Sequence, residues 1–181
     1  MIIGLVGEKL AGKDTVMNYL ADKYNAGTFR FSHILDAVLE DLDLPISREN
    51  EITLGMSIRK TFGEHVLVNA LYDRVQKSLS SFNVVNGIRM DELEIVKSWG
   101  AKIIYITAPA EIRFQRYLAR KEKADDAVMT LEQFIEHDKG PTELLIPQLG
   151  AKADFKVENT GTLEELHQKI DEVVKPFLSK K

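Results

Sequence analysis

The sequence predicts a three-layer α/β fold, a five-stranded parallel sheet with helices on both faces, and three observations carry that expectation. Short β-branched or aromatic runs alternate with longer helical patterns, as in successive βαβ units. The first apolar run leads through a glycine-bearing turn, Gly7 to Lys13, into a helical pattern. The 181 residues suffice for one well-buried core and demand no second domain.

Taken in order, strands are expected at Ile2–Val6, 28–31, Asn83–Asn86, Lys102–Thr107 and 153–157. Residues Lys13–Tyr24, 32–42 and 91–98 read as helices, the last stopped by Gly100. The stretch 53–79 reads as two helices broken near Gly63, with Leu67, Ala70, Leu71 and Val75 at helical spacing in the second. Capping-box spacing marks two later helix starts, Thr130 with Gln133 and Thr162 with Glu165; Met129 and Phe134 have the spacing of a hydrophobic staple. Beyond Thr162, the set Leu163, Leu166, Ile170, Val173 and Phe177 predicts one apolar face turned to the sheet. The expected organisation is one domain over residues 1–181, with a helical insertion at about 43–80 and a short lid at about 113–130.

Hydrophobic residues at 44% and charged residues at 29% are ordinary globular values, and a net charge of −4 gives no overall field toward nucleic acid or an anionic membrane. No nucleic acid polymer and no membrane is expected as partner, and the chain is expected as a monomer or homodimer. The absence of cysteine removes disulfide frameworks and thiolate zinc sites, and His33, His65, His137 and His167 lack paired metal-ligand spacing. The longest apolar runs, at 2–7 and 103–106, are too short to span a bilayer, and no signal segment opens the chain. A cytoplasmic location is expected.

The strongest chemical signal is Gly7-Glu8-Lys9-Leu10-Ala11-Gly12-Lys13-Asp14-Thr15, a Walker A pattern between an apolar strand and a helix. Gly7 and Gly12 let the backbone wrap a phosphate, with Leu10, Ala11, Asp14 and Thr15 in the wrap. The helix N-terminus adds partial positive charge, and Lys13 bridges the β- and γ-phosphates. The pattern calls for ATP and Mg²⁺. The position after Lys13 usually carries a Ser or Thr hydroxyl for the metal and here carries Asp14, while the end of the third strand carries Asn86 where an acid is often found. Asp14 and Asn86 are the candidate metal-side residues. Either the carboxylate has moved to Asp14, or Asp14 only favours the positive end of its helix.

The Gly-Lys-Asp-Thr form of this loop resembles that of deoxynucleoside monophosphate kinases and phosphomevalonate kinases. Ala153-Asp154, followed by Val157-Glu158-Asn159-Thr160-Gly161-Thr162 and on to Leu166, is similar to the last strand, base-proximal loop and final helix of dephospho-CoA kinases. Asn86-Gly87-Ile88-Arg89 through Glu94, with 130–138, resembles an archaeal group of small dephospho-CoA-kinase-like proteins. The resemblance implies a P-loop nucleotide-kinase fold and transfer of the γ-phosphoryl group of ATP to a small nucleotide-like phosphate acceptor. A (deoxy)nucleoside monophosphate is the first acceptor, dephospho-CoA the second and a phosphorylated isoprenoid precursor the third. It also implies that Asn159 and Gly161 lie beside the nucleotide. The reading from another class is an ATP-dependent switch without a small acceptor.

Transfer of a phosphoryl group needs cations that neutralise spreading charge. Arg113, Arg116 and Arg120 share one helical face after the fourth strand. By resemblance, Arg116 and Arg120 match lid arginines that close over ATP; otherwise the face is a solvated one on a helix that buries Phe114, Tyr117 and Leu118. Arg89 follows the third strand, where open parallel sheets bind ligands. The resemblance makes it a catalytic or acceptor-binding residue, and the plain alternative is pairing with Asp91 or Glu92. Arg59 in the insertion is expected to hold the acceptor, or else to be a solvated charge beside Lys60. Ser32 and His33, after the second strand, are further acceptor candidates, with Ser32 equally readable as a helix N-cap. Trp99 reads as packing, and Asp125 and Asp126 beside Lys121 and Lys123 as a solvated lid tip.

Overall fold

Alternation of short apolar runs with amphipathic stretches produces β1 (Ile2–Val6), α1 (Lys13–Tyr24), β2 (Gly27–Arg30), α2 (Ser32–Asp41), α3 (Arg48–Phe62), α4 (Val66–Gln76) and β3 (Asn83–Asn86). There follow α5 (Leu93–Ser98), β4 (Lys102–Thr107), α6 (Ala110–Arg120), α7 (Leu131–His137), α8 (Ile146–Ala151), β5 (Phe155–Glu158) and α9 (Leu163–Leu178). The structure is a computed structural model that describes residues 1–120, 129–140 and 143–178, with Arg120 described in its backbone alone. Among the described residues no helix is long and apolar enough to cross a membrane.

The strands form one parallel sheet in the order β2-β3-β1-β4-β5, with Leu5 opposite Asn86 on one side and Ile104 on the other. Side chains alternate across the sheet. Ile3, Leu5, Val84, Ile104 and Ile106 pack against Val16, Met17 and Leu20 of α1 and Leu166, Ile170 and Val174 of α9. Val6, Val85, Ile103 and Tyr105 pack on the opposite face against Leu35 of α2, Leu67, Val68 and Leu71 of α4, Val96 of α5 and Leu149 of α8. The predicted three layers are therefore present.

Several boundaries differ from the sequence expectation for local reasons. The second strand ends at Arg30, because Phe31 already has helical dihedrals and stands at the N-cap of α2. Ser32 is therefore inside the helix, and no side chain caps it. The first insertion helix starts at Arg48 instead of residue 53: Ser47 accepts from Asn50 N at 3.2 Å and opens the helix five residues earlier. The break at Gly63 is present, and α4 ends at Gln76. The helix expected at 91–98 begins at Leu93. The last strand begins at Phe155; just before it, Asp154 meets Ile103 twice, its backbone N–H donating to Ile103 O at 2.9 Å and its carboxylate accepting from Ile103 N at 2.8 Å.

Both predicted capping boxes form, at Thr130 with Gln133 and at Thr162 with Glu165. In α9, Leu163 is exposed, so the buried face starts one turn later at Leu166. Trp99 packs on Tyr72 with ring centroids 4.9 Å apart, as a core-supporting side chain.

Candidate active site

The loop between β1 and α1 depends on backbone conformations that glycine supplies. Gly7 and Gly12 have φ of 150° and 109°, and a Cβ on Gly7 would run into the Ile106 carbonyl of β4. Leu10 also adopts a left-handed φ of 64°, so the chain turns sharply enough for Ala11 N to donate to Glu8 O at 3.2 Å. The first amides of α1 lack helical partners, as at any helix N-terminus, and such amides are the ones that receive phosphate. The Lys13 ammonium lies across the mouth, donating to the Gly7 and Glu8 carbonyls at 2.8 Å each. Burial holds its pKa below the ordinary lysine value, with Glu143, Asp14 and Glu8 opposing that shift.

Neighbouring elements hold the loop from three sides. From β4, Tyr105 and Thr107 both donate to Glu8 Oε1, the latter at 3.1 Å. Burial and then the Glu8 carboxylate push the Tyr105 phenol up to about 12. After β5, Asn159 donates its side-chain amide to Ala11 O at 2.9 Å. From α6, Arg116 donates to Leu10 O at 3.1 Å, Ala11 O at 3.3 Å and Asn159 O at 2.8 Å.

Arg113 belongs to a different class from Arg116. It is 5% exposed, forms a two-pronged pair with Asp138 at 3.1 and 2.6 Å, and donates to Ala108 O and Lys9 O. The alternative reading of α6, a solvated basic face over buried Phe114, Tyr117 and Leu118, fails at two positions, since Arg113 is buried and Leu118 is exposed. The side chain of Arg120 and the acidic tip at Asp125 and Asp126, with Lys121 and Lys123, lie outside the described residues.

Cavities flank the loop. One of about 620 Å³ runs between α1, α6 and α9, lined by Gly12, Lys13, Asp14, Thr15, Arg116, Asn159 and Gly161. On the other side, beyond the carboxyl ends of β1 and β3, a cavity of about 490 Å³ carries Lys9, Arg48, Glu51, Arg89 and Glu143. A third of about 270 Å³ adjoins it and adds Arg30, Ser32, Arg59 and Asn86, while sharing Glu51, Gly87 and Arg89. Lys13 lines all three.

The sequence-predicted acceptor residues separate here. Arg89, Arg59 and Ser32 come together at the third cavity, but exposed His33 lines none of the three, and its carbonyl instead accepts from Arg74 at 3.4 Å. Arg59 is not a solvated charge beside Lys60: it is 8% exposed and pairs with Glu92 at 3.0 Å. Arg89 engages Glu92 through its backbone N–H at 3.0 Å. Sequence reasoning missed Arg30, although it ends a parallel strand as Arg89 follows one. It also missed Arg48, Glu51 and Glu143, for which no motif gave a signal.

At the candidate metal-side residues, Asn86 Nδ2 donates to Asp14 Oδ1 at 2.8 Å, and Arg30 pairs with the same oxygen at 3.1 Å. The Asn86 side-chain amide oxygen, Oδ1, is buried without a partner among the described residues. No group of three or more His, Asp or Glu able to hold a metal occurs among those residues. A Mg²⁺ held mostly by phosphate oxygens and waters, with one carboxylate and one orphaned carbonyl nearby, fits this donor set.

No family model matches the chain. It is 23% identical over 183 residues to a UPF0200 protein of Methanothermobacter thermautotrophicus, covering 99% of this chain and 92% of that one. It is 27% identical over 179 residues to a UPF0200/UPF0201 protein of Archaeoglobus fulgidus, of whose length it spans only 54%. Among solved structures, the shikimate kinase from Acinetobacter baumannii in complex with shikimate is similar, with a TM-score of 0.63 at 22% identity, over 99% of this chain and 95% of that one. The shikimate kinase from Aquifex aeolicus matches with a TM-score of 0.54 at 19% identity, over the full length of both. At these identities the likeness is one of fold, and the fold is that of shikimate-kinase-like P-loop proteins.

Proposed function

We propose that the chain is an ATP- and Mg²⁺-dependent phosphotransferase acting on a small anionic acceptor, with a (deoxy)nucleoside monophosphate as first candidate. The observation that carries this is the position of Lys13, whose side chain borders a cavity on each side of the phosphate loop. A switch that only binds nucleotide has no need of the second, cation-lined space.

In this reading Gly12, Thr15, Asn159, Gly161 and Arg116 line the donor side. Lys13 and the loop amides hold the β- and γ-phosphates, and Mg²⁺, when bound, neutralises charge on their oxygens. Arg89 and Arg59 orient the acceptor so that its attacking oxygen faces the γ-phosphorus as the bond to the β–γ bridging oxygen breaks. Arg116, with Arg120 as its lid partner, stabilises charge on the transferring group.

The guanidinium groups at the acceptor cavity suit a carboxylate as well as a phosphate, and the structural neighbour was solved with shikimate. A hydroxy acid is therefore a further acceptor class to try, after dephospho-CoA and phosphomevalonate. The test is ADP release by the purified chain with ATP, Mg²⁺ and each member of a panel: nucleoside and deoxynucleoside monophosphates, shikimate, dephospho-CoA and phosphomevalonate. Acceptor-dependent ADP formation with one class is expected. ADP formation that is equal with and without every acceptor would favour the switch instead.

A further inference from the structure

Glu92 lies at the start of α5 and is 1% exposed, among the most deeply buried charged side chains described. Its two oxygens serve different elements. Oε1 accepts from the Arg59 guanidinium of α3 at 3.0 Å, and Oε2 accepts from the backbone N–H of Arg89 at 3.0 Å. A carboxylate so far from water is costly unless paired, so its presence calls for a reason beyond packing.

The reason lies on the other side of the two residues it holds. Arg59 and Arg89 both line the cavity next to Lys13 and Asn86. Arg59 is itself more than nine-tenths buried, yet its Nε has no hydrogen-bond partner among the described residues. Its remaining bond, to Gly55 O, is long at 3.5 Å. A buried guanidinium that lines the cavity, with one nitrogen on Glu92 and only a long bond at the next, keeps donor capacity for an anion there.

We propose that Glu92 is a positioning residue that fixes Arg59 of α3 and the Arg89 loop after β3 in one geometry for the anionic group of the acceptor. This rests on the acceptor-side reading of the cavity given above. Glu92 does not touch the acceptor; it acts through Arg59 and Arg89, and its charge offsets that of Arg59 so that the cavity is not overloaded with cations before the ligand arrives.

The test uses inorganic phosphate as probe and needs no turnover. Calorimetric titration of phosphate is carried out with the donor site saturated by Mg²⁺ and a non-hydrolysable ATP analogue, for the unaltered chain, Glu92→Gln, Arg59→Ala and the double variant. Gln keeps the volume and one acceptor oxygen but removes the charge. Phosphate affinity is expected to fall about ten-fold or more in each single variant, with analogue affinity unchanged, and the double variant should lose less than the two single losses combined, because part of the Glu92 effect passes through Arg59. Should Glu92→Gln not fold, Glu92→Asp carries the same expectation, since its shorter arm cannot reach both partners. Phosphate binding by Glu92→Gln equal to that of the unaltered chain, or losses that simply add, would overturn the assignment, as would absence of phosphate binding by the unaltered chain. Failure of the kinase reading shows separately, as a lack of acceptor-dependent ADP.

Discussion

Asn86 at the end of β3 donates its side-chain amide to Asp14 Oδ1 at 2.8 Å, joining two residues 72 positions apart in the chain. Arg30 reaches the same oxygen at 3.1 Å, so the carboxylate at the head of α1 is held by one neutral and one cationic partner. The two residues that depart from the usual phosphate-loop pattern are thus in direct contact. That contact makes a shared metal role testable. Asp14→Ser is expected to raise the Mg²⁺ concentration needed for half-maximal turnover, and adding Asn86→Asp to partly restore it. Strictly additive losses would mean that the two positions do not serve one metal.

Lys13→Ala should abolish transfer while changing stability little. The ammonium is half-buried against two carbonyls, and burial depresses its pKa, so the folded chain gains little from keeping it there. The expected change is about 1 kcal/mol or less, a shift in Tm of roughly 2–4 °C, against a loss of turnover of several orders of magnitude. Thermal melts and ADP release on the same preparation check it; retained turnover would count against the phosphotransferase reading.

The seam between α1 and α9 supplies a pH prediction. Asp171 of α9 accepts from Tyr19 at 2.7 Å, Tyr24 at 2.6 Å and Lys23 at 2.7 Å, with Lys175 at 3.1 Å. Burial opposes ionisation, but these bonds outweigh it and hold the carboxyl well below the usual aspartate range. A depressed folded pKa gives stability that is fully present above the unfolded value of about 4 and is lost as pH falls below it. Urea melts from pH 7 down to pH 3 should show a decline that is smaller in Asp171→Asn. That variant should itself be about 2–3 kcal/mol less stable at pH 7. An unchanged acid slope in the variant would remove Asp171 as its cause.

What the sequence made legible follows the range of the interactions. The bounds of β1, β3, β4 and α1 are as expected, because buried apolar runs and the loop chemistry are local signals. The start of α3 was hidden because the helix is largely solvated, with Met56 and Phe62 exposed, so its apolar pattern is poor and only the Ser47 cap marks it. The six-residue α8 is too short to show a period. The hardest features were the buried charges. Glu92 finds Arg59 across 33 positions and Arg113 finds Asp138 across 25, and neither pairing leaves a trace in spacing.

Arg113 and Arg116, three residues apart on α6, should behave as opposites when removed. Arg113 is buried and tied to Asp138 of the α7 C-cap, whereas Arg116 borders the cavity between α1, α6 and α9 and, among the described residues, donates to carbonyls of the loop and of Asn159. Removing a buried partner leaves the other charge uncompensated. Because the Asp138 side chain is 27% exposed and can be partly rehydrated, the expected cost of Arg113→Ala is about 2–3 kcal/mol, less than for a fully buried pair. That corresponds to a fall in Tm of roughly 5–10 °C for a chain of this size. Arg116→Ala should move Tm by no more than a few degrees and instead lower kcat by about a hundred-fold, more than it raises KM for ATP, because charge on the transferring group is greatest in the transition state. Melting curves and steady-state kinetics of the two variants separate these outcomes. A raised KM with kcat intact in Arg116→Ala would make that residue a ground-state ligand of the nucleotide, and a Tm loss equal to that of Arg113→Ala would make it part of the scaffold.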